Sequence, residues 1–159
     1  MLTIEQKIDE SNRIEGIVRP CTNAEIEEFH RFIEIPIIGL EDLQTFVRVY
    51  QPNALLRINA GMDVMVGTHA PKRGGPEIYD DLFAIITGAN EFPDDAWGTH
   101  LDYENLHPFT DGNGRSGRML WYWCMHKSGQ KRLADLGFLH AFYYQTLDSS
   151  DNEIAANVL

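Results

Sequence analysis

The chain has 159 residues, 43% hydrophobic and 11% aromatic, enough apolar material for one packed core and a single domain over 1–159. A formal net charge of −11 and a sequence pI near 4.8 exclude the basic surface that sequence-independent phosphate-backbone binding needs, so no nucleic-acid partner is expected. The N-terminus MLTIEQKIDE carries charges throughout, and no run approaches the roughly 20 apolar residues of a membrane span, so a soluble cytoplasmic protein without signal peptide or membrane partner is expected.

Thr3 is a plausible N-cap, and Ile4, Ile8, Ser11 and Glu15 recur at steps of four, three and four, which places them on one face of a short helix stopped by Gly16. A second helix is predicted from Asn23 to Phe32, capped by Thr22 or Asn23, and a third from Leu40 to Tyr50, closed by Pro52. The stretch LLRINAGMDVMVG alternates apolar and polar residues around Gly61 and reads as a small β-hairpin from Leu55 to Val66. THAPKRGGP, from Thr68 to Pro76, has too many breakers for regular structure and leads into a helix from Glu77 to Ile86. A further helix from Asp95 to about Leu106 must end before Pro108, and another runs from Asn113 to about Lys127. Because MLWYWCM at 119–125 is apolar all round, that helix is expected at the centre of the domain. A last helix fits Asp135 to Leu147. Cys21 and Cys124 stand far apart without metal-ligand spacing, which points to reduced thiols.

Chemistry concentrates in His107-Pro-Phe-Thr-Asp-Gly-Asn-Gly-Arg-Ser-Gly-Arg118, at the junction of two helices. With an N-cap near Gly112, the backbone N–H groups of Asn113, Gly114 and Arg115 are free and point out of the helix end with its positive dipole, as an anion site requires. Glycine at 112 and 114 lets phosphate approach the backbone closely. Arg115 and Arg118 share a face, offset by about 4.5 Å along the axis, a spacing suited to successive phosphates. Asp111 supplies one hard oxygen for a partly hydrated magnesium. His107 has an ordinary pKa near 6.5, so a neutral imidazole is available as base, and a base beside a metal-bound phosphate implies phosphoryl or nucleotidyl transfer. GxGxxG occurs at 112–117 but follows no apolar strand, and no GxxxxGK[ST] string exists, so dinucleotide and P-loop sites are set aside.

The same twelve residues resemble the complete HPFx[DE]GNGRxxR signature of the Fic (Fido) family. The resemblance implies an all-α domain with one small β-hairpin, and transfer of AMP from ATP, with Mg2+, to a Ser, Thr or Tyr hydroxyl of a target protein. By position it makes His107 the base, Phe109 a core anchor, Asp111 the metal ligand, Gly112, Asn113 and Gly114 the anion hole, and Arg115 and Arg118 the holders of the outer phosphates. The hairpin with Val66, Gly67, Thr68 and His69 resembles the family's flap, which grips the target backbone by strand-like pairing. Here its usual proline-rich continuation is replaced by Pro71-Lys-Arg-Gly-Gly-Pro76.

Ser11-Asn12-Arg13-Ile14-Glu15-Gly16 resembles the family's inhibitory motif [ST]xxxE[GN], in the class that carries it N-terminally. The resemblance implies that residues 1–16 form an inhibitory helix in which Glu15, with Ser11, withdraws Arg118 from the γ-phosphate. Such a helix can dock in its own domain or a neighbour's, which leaves a homo-oligomer open, and the target may be the chain itself. Phe142 to Leu147 resembles the helix bordering the adenine pocket, with Tyr143 and Tyr144 as stacking candidates. Three alternatives stay open: removal of AMP from a modified protein, Doc-like phosphotransfer, and nucleotide binding without catalysis. Doc-like relatives typically carry Lys where this chain has Gly114.

Overall fold

The computed structural model describes residues 1–148. Within them the chain forms eight helices: α1 (Ile4–Ile14), α2 (Asn23–Ile33), α3 (Leu40–Tyr50), α4 (Pro76–Glu91), α5 (Ala96–Leu106), α6 (Asn113–Lys127), α7 (Lys131–Ala134) and α8 (Phe138–Asp148). The fold is all-α, as expected, and no helix among the described residues is long and apolar enough to cross a membrane.

Local chemistry explains where the helices begin. The Thr3 hydroxyl accepts the Gln6 N–H at 3.2 Å while Gln6 Oε1 takes the Thr3 N–H at 2.9 Å, a reciprocal pair that satisfies two donors at the start of α1. Thr22 and Glu25 do the same for α2, which makes Thr22 the cap. Asp95 caps α5 through the Gly98 N–H. Helix α6 is central: every side chain from Met119 to Met125 is buried, and α1, α2, α3, α5 and α7 pack around it.

Helix α1 lies on its own chain and is tied to it at several points. Ile8 is buried in the core, a contribution of about 2 kcal/mol for a side chain of that size. Asn12, fully buried, donates to Glu25 Oε2 at 3.1 Å, and Arg19 binds the other oxygen of that carboxylate at 2.6 Å. Lys7 pairs with Asp135 at 2.7 Å, and Glu10 accepts the Leu139 N–H at 3.2 Å. These contacts hold the helix by both faces.

Two expected elements differ. The helix expected from Asp135 to Leu147 starts three residues later: a separate short α7 ends at Ala134, Gly137 adopts φ 99°, and α8 runs from Phe138. Asp135 closes α7, with its carboxylate on Lys7 and Lys131 and its carbonyl accepting the Leu2 N–H at 2.7 Å. The hairpin from Leu55 to Val66 is absent as a ladder. Leu56 bridges Phe109 instead of its own return strand, and Val66 pairs with His69 around Gly67-Thr68, with Gly67 at φ 60°. The chain does turn at Gly61, at φ 89° with the Met62 N–H on Asn59 O at 3.3 Å, but the paired residues close around a second turn at Gly67-Thr68. Adjacent Leu56 and Arg57 are both buried, which an alternating strand does not allow, and the carbonyls of Met62 and Lys72 are taken by the Arg57 side chain.

Candidate active site

Pro108 ends α5, and His107 closes it in the left-handed region at φ 52°, with its N–H on Tyr103 O at 3.0 Å. His107 is the one non-glycine residue with positive φ among the described residues. Its Nδ1 lies 3.3 Å from the Glu104 carbonyl, so that nitrogen carries the proton and Nε2 presents its lone pair. Burial is the main reason the imidazole is held below its ordinary pKa, which keeps it neutral at pH 7.

The loop from 108 to 112 is folded by its neighbour in sequence. The Asn113 side chain accepts the Phe109 N–H at 2.8 Å and donates to the Phe109 carbonyl at 2.8 Å, while the Phe109 ring is buried in the core. What Asn113 offers outward is therefore its backbone N–H. Gly112 caps α6 at φ 80°, a conformation that strains any other residue, and a Cβ there would press on Val47 at 3.2 Å. Ser116 locks the turn through Gly112 O at 2.8 Å and the Tyr103 hydroxyl at 2.7 Å.

Around this turn opens a cavity of about 470 Å3, lined by Glu15, Val64–Val66, Glu104, His107, Thr110–Arg115 and Arg118. His107, the carboxylate Asp111, the helix start and both arginines thus share one space. Gly67, Thr68 and His69 lie outside that lining, although His69 is near enough to act on the charge of His107. Tyr143 and Tyr144 are exposed on α8 and do not line the cavity either.

The two arginines differ sharply in partners. Arg118 donates from Nε to Ser11 Oγ at 2.8 Å and from Nη2 to Ser11 O at 3.1 Å and Glu15 Oε1 at 2.5 Å. Arg115 lies 4.9 Å over the Tyr50 ring, and its buried Nε has no hydrogen-bond partner. An orphaned cationic donor beside free helix-start N–H groups fits an anion. The Glu15 carboxylate already lies against that helix start, since a Cβ at Gly114 would fall on its Oε1.

A metal fits more narrowly. Asp111 is exposed and accepts the Gly112 N–H at 2.7 Å, leaving one carboxylate oxygen for another ligand. Among the described residues no group of three His, Cys, Asp or Glu could hold an ion by itself, so a hard cation there would need oxygens from its ligand and from water, as magnesium commonly takes.

Sequence reasoning missed Glu104 and Arg57. Glu104 stands one turn before His107 with a buried Oε1 that lacks a partner, and burial pushes its carboxyl up to about 7 against the pull of Arg118. Its i, i+3 spacing from His107 was the available signal. Arg57, a charge inside an apolar stretch, was another.

A half-buried neutral imidazole, free helix-start N–H groups and an exposed carboxylate in one cavity are the kinds of group that transfer chemistry on phosphate compounds uses. The model of the Fic/DOC family matches residues 22–125, and the chain belongs to that family. Members of the family generally transfer nucleotide or phosphate groups. Glu15 and Ser11 lie outside the matched range. No curated protein matches the chain closely enough to serve as a relative.

Proposed function

We propose that this protein transfers AMP from ATP to a Ser, Thr or Tyr hydroxyl of a target protein, and that Glu15 holds it off at rest. The observation that carries the reading is the position of the Glu15 carboxylate, which binds Arg118 and lies on the helix start at Gly114, where a phosphate would have to sit.

With Glu15 withdrawn, the N–H groups of Asn113, Gly114 and Arg115 and the two guanidiniums hold the triphosphate. His107 Nε2 takes the proton of the target hydroxyl, whose oxygen attacks the α-phosphorus. The bond from that phosphorus to the bridging oxygen breaks, pyrophosphate leaves with the electron pair, and the proton stays on His107. Magnesium bound at Asp111 would neutralise charge on the phosphates. Val64–Val66, at the cavity edge, are placed to set the target backbone beside the base.

The test incubates the Glu15→Gly variant with magnesium and ATP labelled at either the α- or the γ-phosphate, with a Glu15→Gly, His107→Ala double variant as control. The expected result is α-label on protein, reduced by a factor of about 10² to 10⁴ when His107 is lost. Label from the γ-position indicates phosphotransfer, and label from neither position overturns the reading.

A further inference from the structure

Arg57 is fully buried and forms no ion pair among the described residues. An isolated buried cation is costly, so what surrounds this one has to offset the loss of water. The surroundings are backbone carbonyls. Nε donates to His107 O at 2.6 Å and Nη2 to Leu106 O at 2.9 Å, while Nη1 donates to Met62 O at 3.0 Å and Lys72 O at 2.8 Å. The first two carbonyls end α5, where the helix dipole is negative and the last carbonyls lack partners. The other two flank the loop that lines the cavity with Val64–Val66. The Arg57 backbone completes the junction, with its N–H on Pro108 O and its carbonyl accepting the Gly75 N–H, both at 2.9 Å.

We infer that Arg57 is a positioning residue that fixes the peptide of His107 and both ends of the Met62–Lys72 loop as one unit, so that the base and the target-gripping segment keep a set register. The inference rests on the proposed transfer reaction for its functional meaning, but the junction itself is read from the contacts. Only a planar guanidinium reaches carbonyls on opposite sides at once. A lysine ammonium has fewer donors, converging on one point. Both ends of one loop and the distant end of α5 thus share a single hub, and the αL conformation of His107 is held from its carbonyl side by that hub and from its N–H by Tyr103. Transfer depends on the distance between the attacking oxygen and the base, and a shift of about 1 Å lowers rates by roughly a hundredfold. A hub that sets that distance acts on turnover rather than on nucleotide binding, because it touches none of the cradle residues from Asp111 to Arg118.

The experiment places Arg57→Gln and Arg57→Lys in the Glu15→Gly background and measures three things. Amide exchange and the His107 imidazole NMR signal are recorded without substrate, and α-label transfer is followed over a range of magnesium-ATP concentrations. In Arg57→Gln, exchange across Met62–Lys72 should rise by at least roughly tenfold while α6 keeps its protection. The His107 ring signal should move. The kcat should fall by at least about tenfold with KM for magnesium-ATP within about twofold. Arg57→Lys should show the same changes to a smaller degree, and it carries the test if Arg57→Gln does not fold. Unchanged loop exchange and an unmoved ring signal in either folded variant overturn the inference, as does a uniform loss of protection throughout the chain. If the parent variant transfers nothing, the proposed function fails while the exchange and ring signals still decide the role of Arg57.

Discussion

The first turn of α6 and the loop between α3 and α4 line the same cavity and are held over different distances in sequence. The turn is fixed by residues within thirteen positions of one another: Gly112 bends, Asn113 clamps Phe109, and Ser116 returns to Gly112 and Tyr103. The loop has two isolated bridges and takes its shape from one side chain, Arg57, which reaches across about fifty residues of sequence to Leu106 and His107. A segment held locally can be rigid before the rest of the site exists. One held through a single long side chain of its own depends for its position on the end of α5 that the side chain reaches.

The largest effect that would break this contrast is predicted for Asn113→Ala. It leaves the buried N–H and carbonyl of Phe109 without partners, at about 1–3 kcal/mol each, so unfolding free energy should fall by about 4 kcal/mol in urea denaturation with an unchanged m value. A loss under about 1 kcal/mol would mean that the turn is held from elsewhere.

A smaller, pH-dependent effect concerns the far side of the same turn. His100 Nδ1 bonds the Gly117 carbonyl at 2.9 Å, and burial pushes its pKa down to about 4 from an ordinary 6.5. On acidification the unfolded chain takes up a proton before the folded one, so the stability from neutral His100 is complete above pH 6.5 and is lost as the pH falls towards 4. The predicted loss is about 3 kcal/mol over that window. Glu104, raised to about 7, has the opposite slope, so the quantity to measure is the difference between the parent and His100→Gln, whose profile should lack the His100 component. Parallel profiles would contradict the assignment.

Much of the fold could be read locally. Thr3 and Thr22 mark helix starts by their own hydroxyls, Pro108 forces α5 to stop, and the apolar run at 119–125 marks the central helix. Within the candidate site, His107, Asp111, Gly114, Arg115 and Arg118 were visible because one short segment carries them. Four features were not visible, each for a non-local reason. The start of α8 at Phe138 rather than Asp135 goes with Asp135 closing α7 and pairing with Lys7 from the other end of the chain. The hairpin lacks a ladder where the Arg57 side chain takes the carbonyls of Met62, within it, and Lys72, beyond it. Glu104 matters through burial, which a helical pattern with little amphipathic character did not reveal. The position of Tyr143 and Tyr144 follows from how α8 packs on α1 and α7.

Arg115 has an orphaned Nε, whereas Arg118 bonds Ser11 and Glu15 through Nε and Nη2. The measurement that bears on this most directly is the rate of α-phosphate label incorporation at saturating magnesium-ATP, compared between the unaltered chain and Glu15→Gly. Masking by Glu15 predicts a rate at least about tenfold higher in the variant, with Arg118→Ala abolishing the gain. Equal rates in the unaltered chain and Glu15→Gly would show that Glu15 does not restrain the site.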